Sequence, residues 1–173
     1  MTDKDRASIR ILGGLRAEDG KGTVRIEDRL DTGIDDAWSA LTDPTRLARW
    51  LGEFEGDLRP GGEYRARFFA SGWEGTGRVE VCEPPRRLVV VNRGSDDQDE
   101  HVTEITLTAN GQQTDLVFEQ RGMPVNLLAA YGGGNQIHIE DLAAHLAGHE
   151  RVDAKARWAE LQPAYEKLAA DIG

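Results

Sequence analysis

Cysteine is nearly absent. Cys82 is the single one in 173 residues, which excludes an internal disulfide and makes a reducing compartment the expected setting. It falls in the strand-like run 77–82 with no motif that marks a nucleophile, so inert packing is its expected role. Long apolar runs are also missing: no segment approaches the roughly 20 apolar residues of a membrane span. The opening residues, MTDKDRASIRIL, carry no apolar stretch followed by a small-residue cleavage site. A cytoplasmic location with no membrane insertion is expected. Basic clusters are scarce as well. The formal net charge is −10, and Arg86-Arg87 is the only adjacent basic pair, placed at an expected turn after Pro84-Pro85. Such a field repels phosphate backbones, so no nucleic-acid partner is expected. Internal repeats and low-complexity tails are lacking too.

What is present is an ordinary globular composition, 39% apolar and 30% charged. The length suits one well-buried core and is too short for two comfortable domains. The most informative stretch runs from Asp35 to Gly62, DDAWSALTDPTRLARWLGEFEGDLRPGG. Asp35 or Asp36 suits an N-cap, and Ala37, Trp38, Ala40 and Leu41 then recur at helical spacing. Asp43 before Pro44 suits the N-cap and first position of a second helix carrying Leu47, Trp50 and Leu51. Gly52 is expected to close that helix in a left-handed conformation, and Pro60-Gly61-Gly62 to turn between strands.

Strands are expected on both sides of this pair. Residues 8–15 and 23–30 read as two strands around a turn at 18–22. Residues 63–69 alternate Tyr64, Ala66 and Phe68 against charged neighbours, a half-buried strand. Further strands are expected at 76–82, 88–91, 102–108 and 114–120, the last two flanking Asn110-Gly111, a strong hairpin signal. Helical periodicity returns at 134–147, with Ile139, Leu142, Ala143 and Leu146 on one stripe. It recurs at 157–172, with Trp158, Leu161, Tyr165, Leu168 and Ile172. Pro163 is expected to kink that last helix or open a new one. Residues 123–131 read as a short helix ending at Gly132-Gly133-Gly134, a hinge or helix break. It is not a phosphate loop, since no Lys-Ser/Thr pair follows. The order of strands, two short helices, a meander and long closing helices is an α+β layout with a helix on a curved sheet.

These residues resemble the SRPBCC or START-like superfamily, whose helix-grip fold wraps a curved antiparallel sheet around a long C-terminal helix. Within it the chain is similar to the family of the C-terminal domain of the heat-shock-ninety ATPase activator. The resemblance rests on residues 37–44, AWSALTDP, on Arg49-Trp50-Leu51, and on residues 57–62, DLRPGG. It continues through 75–81 and 83–88, and QIHIEDLAAHLAG at 136–148 resembles the closing helix of bacterial members. A single domain over 1–173 is therefore expected, with a family core of about 24–148, a hairpin extension at 8–22 and a helical extension at 149–173. The resemblance implies a cavity between sheet and helix, but not one activity. Members bind lipids or hydrophobic metabolites, cyclise polyketides or regulate a chaperone.

The residues that could carry chemistry are few. His138, Asp141, His145 and His149 stand at offsets of three, seven and eleven, on one side of a continuous helix. That spacing suits a zinc-like ion, a solvated polar flank, or a histidine touching a ligand, and Gly148 can end the helix before His149. Glu74, Glu119, His138 and Asp141 are candidate acids or bases near apolar segments. None forms a recognisable pair, and no G-x-S-x-G motif occurs. The sequence does not support an enzyme assignment and implies no cofactor or metal. Aromatic residues point instead to a cavity for a small apolar or amphipathic molecule. The expected lining is Trp50, Phe68, Trp73, Phe118, Met123, Tyr131 and His138, with Met123, Leu127 and Leu128 as a flexible lid. Two alternatives remain: a cyclase- or hydrolase-like enzyme in the same cavity, and a chaperone-activator-like regulator. A homodimer through the helix around Trp158 and Tyr165 is a further expectation, against intramolecular docking of the same stripe.

Overall fold

The computed structural model describes residues 11–95 and 100–172. The first expected strand, at 8–15, therefore lies partly outside the described residues. Within them, strand β1 (Gly13–Glu18) turns at Asp19-Gly20 into β2 (Lys21–Leu30). Two short helices follow, α1 (Ile34–Thr42) and α2 (Pro44–Trp50). The meander comprises β3 (Gly52–Gly56), β4 (Glu63–Phe68), β5 (Glu74–Glu83), β6 (Arg87–Gly94), β7 (His101–Asn110) and β8 (Gln113–Pro124). A 3-10 turn at Val125–Leu127 leads into α3 (Leu128–Leu146), and α4 (Ala154–Ala170) closes the chain. The eight strands form one antiparallel sheet in the order β1-β2-β8-β7-β6-β5-β4-β3. This is the helix-grip architecture, with α3 lying across the curved sheet.

Period-two alternation selects the face that meets α3. Val24 and Ile26 of β2, Ile105 and Leu107 of β7, and Leu116 and Phe118 of β8 share one buried cluster with Ile139 and Leu142 of α3. The short helices close one end of that cluster through Ala37, Ala40, Leu47 and Trp50. The Trp50 indole N–H donates to the Ala40 carbonyl at 2.9 Å, which ties α2 to α1. The opposite face of the sheet is charged. Glu104 and Glu119, directly paired across β7 and β8, are bridged by Arg121 at 3.1 and 3.0 Å, and Arg25 and Arg87 pair with one of them each.

The caps are partly as read. The Asp43 carboxylate accepts from the Thr45 amide at 2.9 Å, with Pro44 starting the helix. For α1, however, Gly33 occupies the N-cap position and Asp35 and Asp36 lie in the first turn. There Asp36 accepts from Arg46 at 2.7 Å. Gly52 does not close α2. It opens β3, opposite Phe68, a five-residue strand too short and too glycine-rich to read from alternation.

The Gly132-Gly133-Gly134 hinge is overturned. Helix α3 runs unbroken through all three glycines, because they are where α4 packs. Leu161 and Tyr165 of α4 join Ile137 of α3 in a second buried cluster. The Tyr165 hydroxyl donates to Gln136 Oε1 at 2.6 Å. Gln162 Nε2 donates to the Ala129 carbonyl at 3.1 Å, and the Arg157 guanidinium grips Glu140 at 2.7 and 2.8 Å. Leu15 of β1 also packs against this second cluster, so the N-terminal hairpin forms part of the socket for the last two helices. Pro163 lies inside α4 without interrupting it. Tyr165, fully buried, is spent on intramolecular docking rather than on a partner copy, whereas Trp158 stays 39% exposed.

Candidate functional site

Between the concave sheet and α3 lies an outer cavity of about 680 Å³, continued inward by a smaller one of about 120 Å³. Five residues line both: Phe68 at the end of β4, Asn92 of β6, Gln120 of β8, and Asn135 and His138 of α3. They form a septum between two chambers. Its three amides are held by side-chain hydrogen bonds. Tyr64 Oη donates to Asn92 Oδ1 at 2.6 Å. Asn135 Nδ2 donates to Gln120 Oε1 at 2.8 Å, and Gln120 Nε2 donates to Thr103 Oγ1 at 3.1 Å. Bonds of this kind fix amide orientation in a low-dielectric interior.

Aromatic rings build the outer wall. Trp73 lies 4.9 Å from Phe68 between centroids, His101 lies 6.3 Å from Trp73, and Tyr131 lies 6.1 Å from His101. The His138 ring meets the Phe68 ring edge-on at 5.1 Å. Trp158 and Lys155, both from α4, complete the mouth. Two polar atoms of its lining residues, Trp73 Nε1 and His138 Nε2, are fully buried and have no hydrogen-bond partner among the described residues. Burial pulls the His138 imidazole down to about 4, so it is neutral at pH 7, one nitrogen a donor and the other an acceptor.

The expected lining residues divide between the chambers. Phe68, Trp73, Tyr131 and His138 line the outer one; Trp50, Phe118, Phe68 and His138 line the inner one. Met123 lines neither. It is fully buried in β8 within the main core, as is Leu128 in α3, so neither can act as a lid. Of that trio, Leu127 alone is exposed at the mouth, at 44%. The polar septum was not anticipated. A signal for it does exist in the sequence: Gln120 continues the inward phase of Leu116 and Phe118, and Thr103 that of Ile105 and Leu107. A polar residue on an inward phase must find a partner inside.

The histidine row on α3 does not come together. His138 faces the cavities, while His145 Nε2 meets the Arg46 guanidinium at 3.2 Å. His149 is exposed beyond the helix end, where Gly148 adopts positive φ. Among the described residues no group of three His, Cys, Asp or Glu side chains could hold a metal ion. Nor are His138 and Asp141 solvated: both are buried, His138 against the Phe68 ring and Asp141 against the Val152 amide in the segment before α4. Glu74 is exposed. Glu119 belongs to the charged outer face, where burial raises its carboxyl but hydrogen bonds from Arg121 and Arg25 outweigh that and hold it below the ordinary range.

Asp141 is buried with one oxygen accepting from the Val152 amide at 2.8 Å and the other unpartnered among the described residues. Burial pushes its carboxyl up to about 6, against the Val152 hydrogen bond and the Arg151 charge. The folded state thus binds this proton more tightly than the unfolded chain, and stability falls as pH rises from about 4 through 6. Asp141→Asn keeps the acceptor for Val152 without the charge. Its stability relative to wild type is expected to grow by on the order of 1–2 kcal/mol between pH 4 and pH 8. Thermal melts of both proteins at the two pH values measure this, and a pH-independent difference would refute it.

Comparison with known proteins agrees with the geometry. CalU16 from Micromonospora echinospora is 28% identical, with 91% of this chain and 95% of that chain covered and a TM-score of 0.74. DynU16, a protein of the dynemicin biosynthetic locus, is 27% identical over 76% of this chain and 50% of that one, with a TM-score of 0.69. A conserved protein from Enterococcus faecalis, EF2215, shares the fold at 17% identity, 98% and 99% coverage and a TM-score of 0.74. No curated protein matches the chain. Residues 31–147 match the family described as Activator of Hsp90 ATPase homolog 1-like protein, and the chain therefore belongs to that family, within the SRPBCC, or START-like, superfamily.

Proposed function

We infer that the chain binds a small apolar or amphipathic molecule in the outer cavity. The observation that carries this reading is the chamber itself, walled by the rings of Phe68, Trp73, His101 and Tyr131. The volume, about 680 Å³, lies within the usual range for small-molecule pockets. The relation to a protein of a biosynthetic locus is compatible with a small-molecule ligand. No carboxylate lines either chamber among the described residues, and the titratable groups that do are His101, His138, Tyr64, Tyr131 and Lys155. A neutral His138 with so low a pKa is a weak base, which favours binding over turnover.

The test uses native mass spectrometry of freshly purified protein together with titration of 1-anilinonaphthalene-8-sulfonate. Wild type is expected to retain one small organic molecule per chain or, when stripped, to bind the dye at one site. Ala130→Trp, on the cavity-facing side of α3, is expected to weaken dye binding at least tenfold at an unchanged melting profile. No retained molecule and no dye binding by wild type, or equal dye binding by the filled variant, would sink the reading.

A further inference from the structure

We propose that the amides of Asn92, Gln120 and Asn135 select the ligand by length: they wall off the inner chamber, so that a bound molecule fills the outer one and stops at the septum. The proposal rests on the ligand-binding reading of the outer cavity and adds the residues that set how deep a ligand reaches.

The wall is built from both layers of the fold. Two neighbouring inward-facing rows of the sheet supply one side. In the first, Tyr64 of β4, Gly77 of β5 and Asn92 of β6 stand side by side. In the second, Thr103 of β7 lies opposite Gln120 of β8. The rows adjoin because Asn92 pairs with His101, two residues before Thr103 on the same face of β7. Asn135 of α3 meets them from the helix side, its Nδ2 donating to Gln120 Oε1 at 2.8 Å. The band therefore reaches from sheet to helix.

A glycine makes room for it. The Tyr64 hydroxyl reaches across β5 to donate to Asn92 Oδ1 at 2.6 Å, and a Cβ at Gly77 would collide with both of those oxygens. The other bonds also stay within the band, since Gln120 Nε2 donates to Thr103 Oγ1 at 3.1 Å. Asn92, Thr103, Gln120 and Asn135 are all buried. A ligand group pushed between them would part donors from acceptors in a buried setting, and each group orphaned in this way weakens binding by about tenfold or more.

Behind the band the character of the wall changes. Phe54, Val79, Leu88, Ile105 and Ile139 line the inner chamber. The hydroxyl of Thr42 and the indole of Trp50, which also border it, are spent on the Trp38 and Ala40 carbonyls at 2.8 and 2.9 Å. At about 120 Å³ the chamber has room for about four groups of roughly 30 Å³ each. An apolar tail would gain from entering it, by about two- to fourfold per methylene, and what stands between that tail and the space is the amide band. Opening the band should therefore lengthen the ligand that the protein prefers.

The experiment displaces 1-anilinonaphthalene-8-sulfonate from stripped full-length protein with straight-chain alkanoates, hexanoate through palmitate. Where the chain lies is read from magnetic-resonance contacts between ligand protons and labelled isoleucine methyls, Ile137 in the outer chamber and Ile105 and Ile139 in the inner one. In wild type, palmitate is expected to touch Ile137 and neither inner methyl. In Asn135→Ala and in Gln120→Ala it should touch Ile105 and Ile139 as well, and the palmitate-to-hexanoate affinity ratio should rise at least tenfold over that of wild type. Leu127→Ala, which trims the outer chamber alone, should leave both readouts as in wild type. Ratios within one variant are insensitive to a loss of folded protein, and the wild-type contacts decide alone if neither septum variant folds. Palmitate touching Ile105 or Ile139 in wild type, or septum variants with unchanged contacts and ratio, would overturn the proposal, as would alkanoates that displace none of a bound dye. In each of those cases the binding cavity stands. If wild type binds no dye and no alkanoate, the proposal and the binding reading fall together.

Discussion

Gly75→Ala is expected to destabilise the protein by about 3 kcal/mol, a fall in Tm of roughly 6–12 °C for a chain of this size, and to abolish dye binding in whatever remains folded. Gly75 lies in β5, between Ala66 of β4 and Gly94 of β6. A Cβ there would stand 2.2 Å from the Arg93 carbonyl oxygen and 2.6 and 2.7 Å from Trp73 Cζ2 and Cη2. Neither neighbour can yield cheaply. The carbonyl belongs to a central strand, and the indole packs against Phe68. Overpacking of well-packed interiors costs about 1–3 kcal/mol even where side chains can shift, so a backbone clash belongs at the upper end. The expectation fails if the variant melts within 2 °C of wild type.

The second large effect separates two glycines on one turn of α3. Alanine in place of glycine inside a helix gains up to about 1 kcal/mol from propensity alone. At Gly134 nothing opposes that gain, because a Cβ would lie 3.8 Å from Trp158 Cζ3, an ordinary contact. At Gly132 it would lie 2.5 and 2.8 Å from Tyr165 Cδ1 and Cε1. The Tyr165 ring is fully buried and anchored through its hydroxyl to Gln136, so α4 as a whole would have to move. Gly134→Ala is expected to raise stability by up to about 1 kcal/mol and Gly132→Ala to lower it by about 2 kcal/mol net. Because α4 supplies Trp158 and Lys155 to the cavity mouth, Gly132→Ala should also weaken dye binding. Denaturant melts of the two variants side by side test this, and a Gly132→Ala protein as stable as Gly134→Ala would contradict it.

These glycines also mark where reading the sequence ran short. A run of three glycines breaks helical propensity locally, and a hinge is what that local signal implies. The tertiary structure overrides it, since the close approach of α4 needs backbone without side chains and the packing it permits outweighs the propensity loss. Gly52 misled for a related reason. Its position after Trp50 suits a helix cap, but it serves as the point where β3 passes close to the Arg67 carbonyl. The same logic moved Met123 from an expected lid into the core: a flexible side chain adapts as readily to a tight interior as to a mobile flap, and the strand β8 that carries it extends past Gln120 to Pro124.

Of the cavity lining, Phe68 and Phe118 were legible as residue types, because aromatic side chains at inward strand phases face the concave side. The septum was legible only in principle. Gln120 and Thr103 occupy inward phases, but which amide meets which hydroxyl depends on register between strands more than a dozen residues apart. His138 and Asp141 were visible as a helical row, yet what they meet, Phe68 of β4 and Val152 of the segment before α4, is not written in α3.

By itself the sequence determined the α+β layout, the second short helix with its Asp43 cap and the Asn110-Gly111 hairpin, through short-range periodicity, turn chemistry and caps, which act within a few residues. The family and the helix-grip topology came from the resemblance of its motifs. The tertiary structure alone decided the continuity of α3, the division of the cavity into two chambers and the hydrogen-bonded amides between them. Each of those depends on surfaces brought together from distant segments, where packing and desolvation outweigh any local preference.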